Sequence, residues 1–155
     1  MEDLPNVTQC STRIGRSLWK SLQVMKQNVA PMLQEQYGIE FKHFVLLGFV
    51  EEGKIYPTNL SGCMSVGPSQ VSRMIEEVQK LGLLERQLDS EDSRRVKLHL
   101  TAKGEEVLQQ ARDLMHGIIA QALQGFPTQY LEMFTYGMEK LTDALEDIQT
   151  PGDKA

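Results

Sequence analysis

Apolar residues return every three or four positions along most of this chain, and one short segment replaces that period with strict alternation. Ile14, Leu18, Leu22, Met25, Val29 and Met32 form a stripe that predicts a long first helix. Thr8 is its expected cap, Pro31 is expected to bend its last part, and Gly38 is its stop. Phe41 to Val50 is apolar on nearly every side except at Lys42 and His43, the pattern of a helix in the middle of a domain. Ile55-Tyr56 reads as a very short strand. Pro57-Thr58-Asn59 then opens a third, short helix with Leu60 and Met64 facing inward. Val71, Met74, Ile75, Val78 and Leu81 are the buried stripe of a fourth helix whose ends are both marked. Gly67 serves as N-cap, Pro68 suits the first helical position because its missing N–H needs no partner there, and Gly82 supplies the left-handed stop. Val96, Leu98 and Leu100 alternate with Lys97 and His99, which predicts a half-buried strand. Leu84 to Leu88 can pair with it across an Asp/Ser-rich turn. Thr101 caps a fifth helix that Gly125-Phe126-Pro127 breaks. A sixth begins near Thr128, with Leu131, Phe134, Met138, Leu141, Leu145 and Ile148 in a heptad-like seam.

Two short helices joined by Ser65-Val66-Gly67, followed by a hairpin, predict a winged helix-turn-helix. The expected fold class is therefore mainly α with a small β-hairpin wing, flanked by long helices. Residues 39–102 form the expected DNA-binding region. Residues 1–38 and 103–150 form the dimerisation region, because their helices carry more apolar surface than one small domain can bury. Residues 151–155 read as a disordered tail. The wet face of the fourth helix carries Ser69, Gln70, Ser72 and Arg73, small hydrogen-bonding groups and one guanidinium suited to base edges and phosphates.

Composition narrows the classes. The 155 residues are 41% hydrophobic, enough for one domain with a real core. The longest uninterrupted apolar run, Phe44 to Val50, is too short to span a membrane. The start of the chain lacks a signal-peptide pattern, and Cys10 and Cys63 make neither a disulfide framework nor a metal finger. A reduced, cytoplasmic protein is expected. The net charge of −5 argues against nucleic acid until its distribution is read. Between Lys54 and Leu100 stand seven Lys/Arg against six acids, so the acidic excess lies elsewhere. No phosphate-cradling glycine loop, metalloprotease helix or nucleophile elbow occurs, so no enzyme is expected.

The stretch from Ile39 to Gly104 resembles the MarR family of bacterial winged-helix regulators. The resemblance rests on Leu60, Val71-Ser72-Arg73, Gly82-Leu83-Leu84-Glu85-Arg86, Asp89-Ser90-Glu91-Asp92-Ser93-Arg94 and Leu100-Thr101-Ala102-Lys103-Gly104. It implies a homodimeric DNA-binding transcription regulator, usually a repressor released from a palindromic double-stranded operator by a small molecule. Ser69, Gln70, Ser72 and Arg73 would then enter the major groove. Arg94 would reach the minor groove from the wing, oriented by Asp92 through paired hydrogen bonds. Arg86, Arg95 and Lys97 would contact phosphates, with bracing of the wing as an alternative for Arg86. Pro68 departs from the family's usual polar or basic residue, and Glu76 and Glu77 bring negative charge to the reading helix.

The resemblance leaves three effector schemes. A lipophilic or phenolic ligand would lie among Trp19, His43, Phe44 and His116. Thiol sensing would use Cys10, although the family's peroxide sensors place their cysteine further along the first helix, where Gly15 stands here. Metal sensing would use His43 and His116, but neither has a second histidine one turn away, so no metal and no cofactor is expected. Cys63 is expected to be packed. A rival to the DNA-binding reading is a winged helix used for protein–protein contact alone, distinguished by whether Arg73 and Arg94 act on a duplex.

Overall fold

A computed structural model of the protein describes residues 6–90, 92 and 94–148. In chain order it contains α1 (Val7–Tyr37), α2 (Phe41–Glu51), α3 (Pro57–Met64), α4 (Pro68–Lys80), β1 (Leu84–Leu88), β2 (Val96–Leu100), α5 (Ala102–Leu123) and α6 (Thr128–Glu146). The chain is mainly α with one β-hairpin between long helices, as the two periodicities predict. It divides into two compact units, one ending at Met115 and the next beginning at His116, inside α5.

In the first unit the core is built on α2. Leu46 and Leu47 are fully buried. Around them lie Val29 and Leu33 of α1, Leu60 of α3, Val71, Ile75 and Val78 of α4, Leu98 of β2, and Leu108 and Ala111 of α5, all with 1% exposure or less. Each such aliphatic side chain, the alanine aside, stabilises the fold by roughly 1.5–3 kcal/mol on full burial. The predicted stripe of α4 is the observed one, except that Leu81 is only half-buried.

The details of the ends differ in places. Asn6 rather than Thr8 caps α1, its side chain accepting the Thr8 N–H at 2.9 Å. The helix runs unbroken through Pro31 to Gly38, which is left-handed at φ 67°. Ile55-Tyr56 is not a strand: the sheet has two strands, and the Ile55 carbonyl accepts a single bond from the Leu98 N–H at 2.8 Å. Cys63, expected to be packed, is exposed, because the short α3 turns only Leu60 fully inward. The strands pair antiparallel, with Leu84 opposite Leu100 and Leu88 opposite Val96. Residues 1–5 and the 151–155 tail lie outside the described residues.

One junction fixes the order of α4, the hairpin and α5. Gly82 takes a left-handed φ of 73° and turns the chain out of α4. The Thr101 N–H donates to the Leu83 carbonyl at 3.1 Å, and the Thr101 hydroxyl donates to the Gly82 carbonyl at 2.7 Å. The same hydroxyl accepts the Gly104 N–H at 3.0 Å and so caps α5, as its position predicts. Lys103 adds a bond to the Leu81 carbonyl at 2.9 Å. Gly104 is buried, and a Cβ there would lie 1.9 Å from the Leu83 carbonyl oxygen.

In the second unit α6 buries no residue completely. Tyr130, Met133, Phe134 and Tyr136 are exposed on it, and the Phe126 and Phe134 rings meet at 5.2 Å.

Gly104→Ala should therefore destabilise the protein by about 2–3 kcal/mol in urea unfolding, since backbone rather than a flexible side chain must move. Gly48→Ala in the interior of α2 meets nothing within 4 Å and should stabilise by about 0.5 kcal/mol in the same measurement.

Candidate nucleic-acid interface

Burial of Val71, Met74, Ile75 and Val78 turns the other side of α4 to solvent, and Ser69, Gln70, Ser72 and Arg73 are all exposed there. The turn that sets this orientation is tight. Ser65 sits at φ 51°, and the Ser61 hydroxyl donates to the Val66 carbonyl at 2.6 Å. Lys42, Ser69, Gln70, Arg73 and Met74 line a notch of about 260 Å³. A cleft of about 400 Å³ on the wing side of α4 is lined by residues that include Ser61, Ser72, Arg86 and Val96. Arg86 thus faces this cleft, and among the described residues no ion pair braces the wing through it.

The expected penalty from Glu77 is largely removed by its neighbours. Lys42 of α2 reaches its carboxylate at 2.8 Å, and His43 Nε2 lies 2.9 Å from the same oxygen. These contacts, Lys42 first, hold the Glu77 carboxyl down to about 2, and the Glu77 hydrogen bond raises the Lys42 ammonium above its ordinary value. His43 is 4% exposed, and its Nδ1 accepts the Glu40 N–H at 3.2 Å, so Nε2 carries the proton that Glu77 receives. Glu40, His43 and Glu77 are close enough to invite a metal. Yet both imidazole nitrogens are engaged, and the Lys42 ammonium lies between the two carboxylates. This is a closed hydrogen-bonded latch between α2 and α4. Its sequence signal was present: Lys42 and His43 interrupt the otherwise apolar run from Phe41 to Val50.

Among the described residues, the wing makes contacts that spacing alone does not reveal. Asp92 accepts the Arg94 backbone N–H at 3.0 Å, and its carbonyl accepts the Arg95 N–H at 2.9 Å. It holds Arg94 by the backbone; the expected pairing with the guanidinium is absent among the described residues, which leaves the exposed Arg94 side chain aimed by the turn. Asp89, which sequence reading treated only as part of the wing motif, is 4% exposed. It receives the Lys97 ammonium at 2.9 Å and the Tyr56 hydroxyl at 2.7 Å. The hydrogen bond to Asp89 pushes the Tyr56 phenol above its ordinary value. Arg95 stacks its guanidinium 3.9 Å from the centre of the Tyr56 ring. Lys97, expected at a phosphate, is thereby committed to a buried carboxylate.

None of the candidate effector residues lines the notch or the cleft described above. Trp19 is 66% exposed on α1, Phe44 is half-buried with its ring 6.1 Å from Phe41, and His43 belongs to the latch. His116 is exposed in the second unit, and Cys10 is half-buried in the first turn of α1. No helix among the described residues is long and apolar enough to cross a membrane.

A short helix pair presenting an exposed polar face, followed by a stapled hairpin, defines a winged helix-turn-helix protein. The chain matches no model of a known protein family. It is 30% identical over 129 residues to the uncharacterized HTH-type transcriptional regulator YsmB of Bacillus subtilis, covering 83% of this chain and 88% of that one. It is 27% identical over 154 residues to the transcriptional repressor MprA of Escherichia coli, covering 97% of this chain and 85% of that one. A solved MarR family protein from Bacillus stearothermophilus superposes with a TM-score of 0.79 at 21% identity, over 90% of this chain and 97% of that one. The chain belongs with the HTH-type transcriptional regulators, and its fold is the winged helix-turn-helix fold of the MarR family.

The latch gives a pH signature. A depressed carboxylate stabilises the fold fully above its unfolded value, near 4.5, and loses that stabilisation as pH falls toward about 2. Unfolding of the native chain and of Glu77→Gln should thus differ most above pH 5, and the gap should close between pH 4.5 and 2. A gap independent of pH would mean that the charge of Glu77 is irrelevant.

Proposed function

We propose that this protein is a homodimeric transcription regulator that binds a palindromic double-stranded DNA operator. The observation that carries this reading is the pairing of an exposed Ser69/Gln70/Ser72/Arg73 face on α4 with a wing whose Arg94, held at its backbone by Asp92, is exposed, all within one compact unit. α4 lies in the major groove, where Gln70 and Arg73 read base edges and Ser69 and Ser72 bond to phosphates or bases. The wing follows the backbone, so that Arg94 enters the adjacent minor groove, whose negative potential attracts a guanidinium. Neutralisation of Glu77 by Lys42 keeps a carboxylate at the back of α4 from repelling phosphate.

Pairing is supported by apolar residues left in water on helices of both units. α1 exposes Ile14, Leu18, Trp19 and Leu22, and α6 exposes Met133 and Phe134. Burial of such faces against a second copy gives twofold symmetry, and two reading helices then meet half-sites about one turn of duplex apart. The similarity to a transcriptional repressor, MprA, supports repression as the outcome. A small lipophilic or phenolic effector that releases the operator completes this reading.

Selection from random duplexes with the purified protein should return a palindrome. Arg94→Ala should bind it about tenfold more weakly with unchanged thermal unfolding, and Arg73→Ala should in addition relax sequence preference, a loss of about 1–3 kcal/mol at its base. Absence of any salt-dependent binding to duplex would instead favour a protein-contact module. Sedimentation should give twice the 17.5 kDa chain mass, and Met133→Lys should shift the species toward one copy.

A further inference from the structure

We propose that Tyr56 is a positioning residue for DNA contact: its ring holds Arg95 in a phosphate-ready pose while its hydroxyl locks the wing base through Asp89. This rests on the DNA-binding reading above and adds a residue, from the loop ahead of α3, that the wing and reading-helix motifs do not contain. Tyr56 is half-buried at the start of α3, in extended conformation at φ −102° and ψ 137°. From there it touches both arms of the hairpin. Asp89 directly follows β1 and accepts the phenol at 2.7 Å; Arg95 directly precedes β2 and lies over the ring at 3.9 Å. A backbone bond from the Asp89 N–H to the Arg95 carbonyl, 3.0 Å, closes the same two points.

The chemistry divides the labour between neighbouring cations. Lys97 is paired with buried Asp89 and acts as a strut. Arg95 is exposed, and stacking covers one face of its guanidinium while the N–H groups, which lie in the guanidinium plane, stay available to phosphate oxygens. A long side chain already held in one pose loses less freedom when DNA arrives, so its contact is stronger than that of a loose arginine. The hydroxyl and the ring therefore have separable roles, which substitution distinguishes.

The test uses the full-length protein and a 30-base-pair duplex recovered by selection, titrated by fluorescence anisotropy over a range of salt concentrations. Tyr56→Phe keeps the ring and should weaken binding about threefold. Tyr56→Leu and Arg95→Ala should each weaken it about tenfold and lower the slope of log K against log salt by about one. The decisive readout is their combination: the double variant should bind only about threefold more weakly than Arg95→Ala, which is the hydroxyl's share, because the ring acts through the same contact as the guanidinium. Additive losses, or unaltered binding by Tyr56→Leu, would overturn the inference. Should Tyr56→Leu not fold, Tyr56→Met takes its place in the same comparison, and an unchanged salt slope for Arg95→Ala overturns the inference by itself, since no phosphate contact existed to be positioned. A native protein that binds no duplex removes the DNA reading itself, and this inference falls with it. Native binding with an unchanged Arg95→Ala slope removes only the inference.

Discussion

The close approach of α5 to the exit of α4 is the constraint on which the rest of this protein depends. Thr101 bonds to the carbonyls of both Gly82 and Leu83 and caps α5 with the same hydroxyl. Gly104 leaves the space into which the Leu83 carbonyl fits. The hairpin is the loop between these two fixed points, so its orientation relative to α4 follows from the staple at its base. Reading helix and wing act on one surface only if that staple holds. The Leu-Thr-x-x-Gly pattern thus has a mechanical meaning beyond its value as a family mark: the threonine joins two helices and the glycine lets their backbones meet.

Charge is managed locally around this frame. An acidic protein that meets nucleic acid must prevent its own carboxylates from facing phosphate. Here two carboxylates of the winged unit are each paired with a lysine, Glu77 with Lys42 and Asp89 with Lys97, and each takes a further hydrogen bond, from His43 and Tyr56. Both pairings also tie separate elements together, α2 to α4 and the pre-α3 loop to the wing. The net charge of −5 therefore says little about the surface that matters.

The terminal helices obey a different logic. Their periodicity is as clear as that of the central helices, but α6 buries no residue completely. An amphipathic helix whose apolar residues stay largely in water calls for a second surface, which is what the proposed twofold assembly supplies.

Most helix boundaries, the hairpin, the stops at Gly38 and Gly82 and the cap at Thr101 were legible in the sequence, because each depends on residues within a few positions of one another. Apolar periodicity, proline at a helix start and glycine at a helix end act through local sterics and burial. The exposed face of α4 was equally legible, as the complement of its buried stripe. The partners of Glu77, Asp89 and Arg95 were not. His43 and Glu77 lie 34 positions apart, and Tyr56 and Asp89 lie 33 apart. No local rule links them, and an aspartate in a turn-forming segment looks the same whether it is solvated or buried. Sequence alone determined which faces turn inward and what kind of surface remains; only the tertiary structure decided which charges on it are free, because that depends on side chains brought together by packing across the chain.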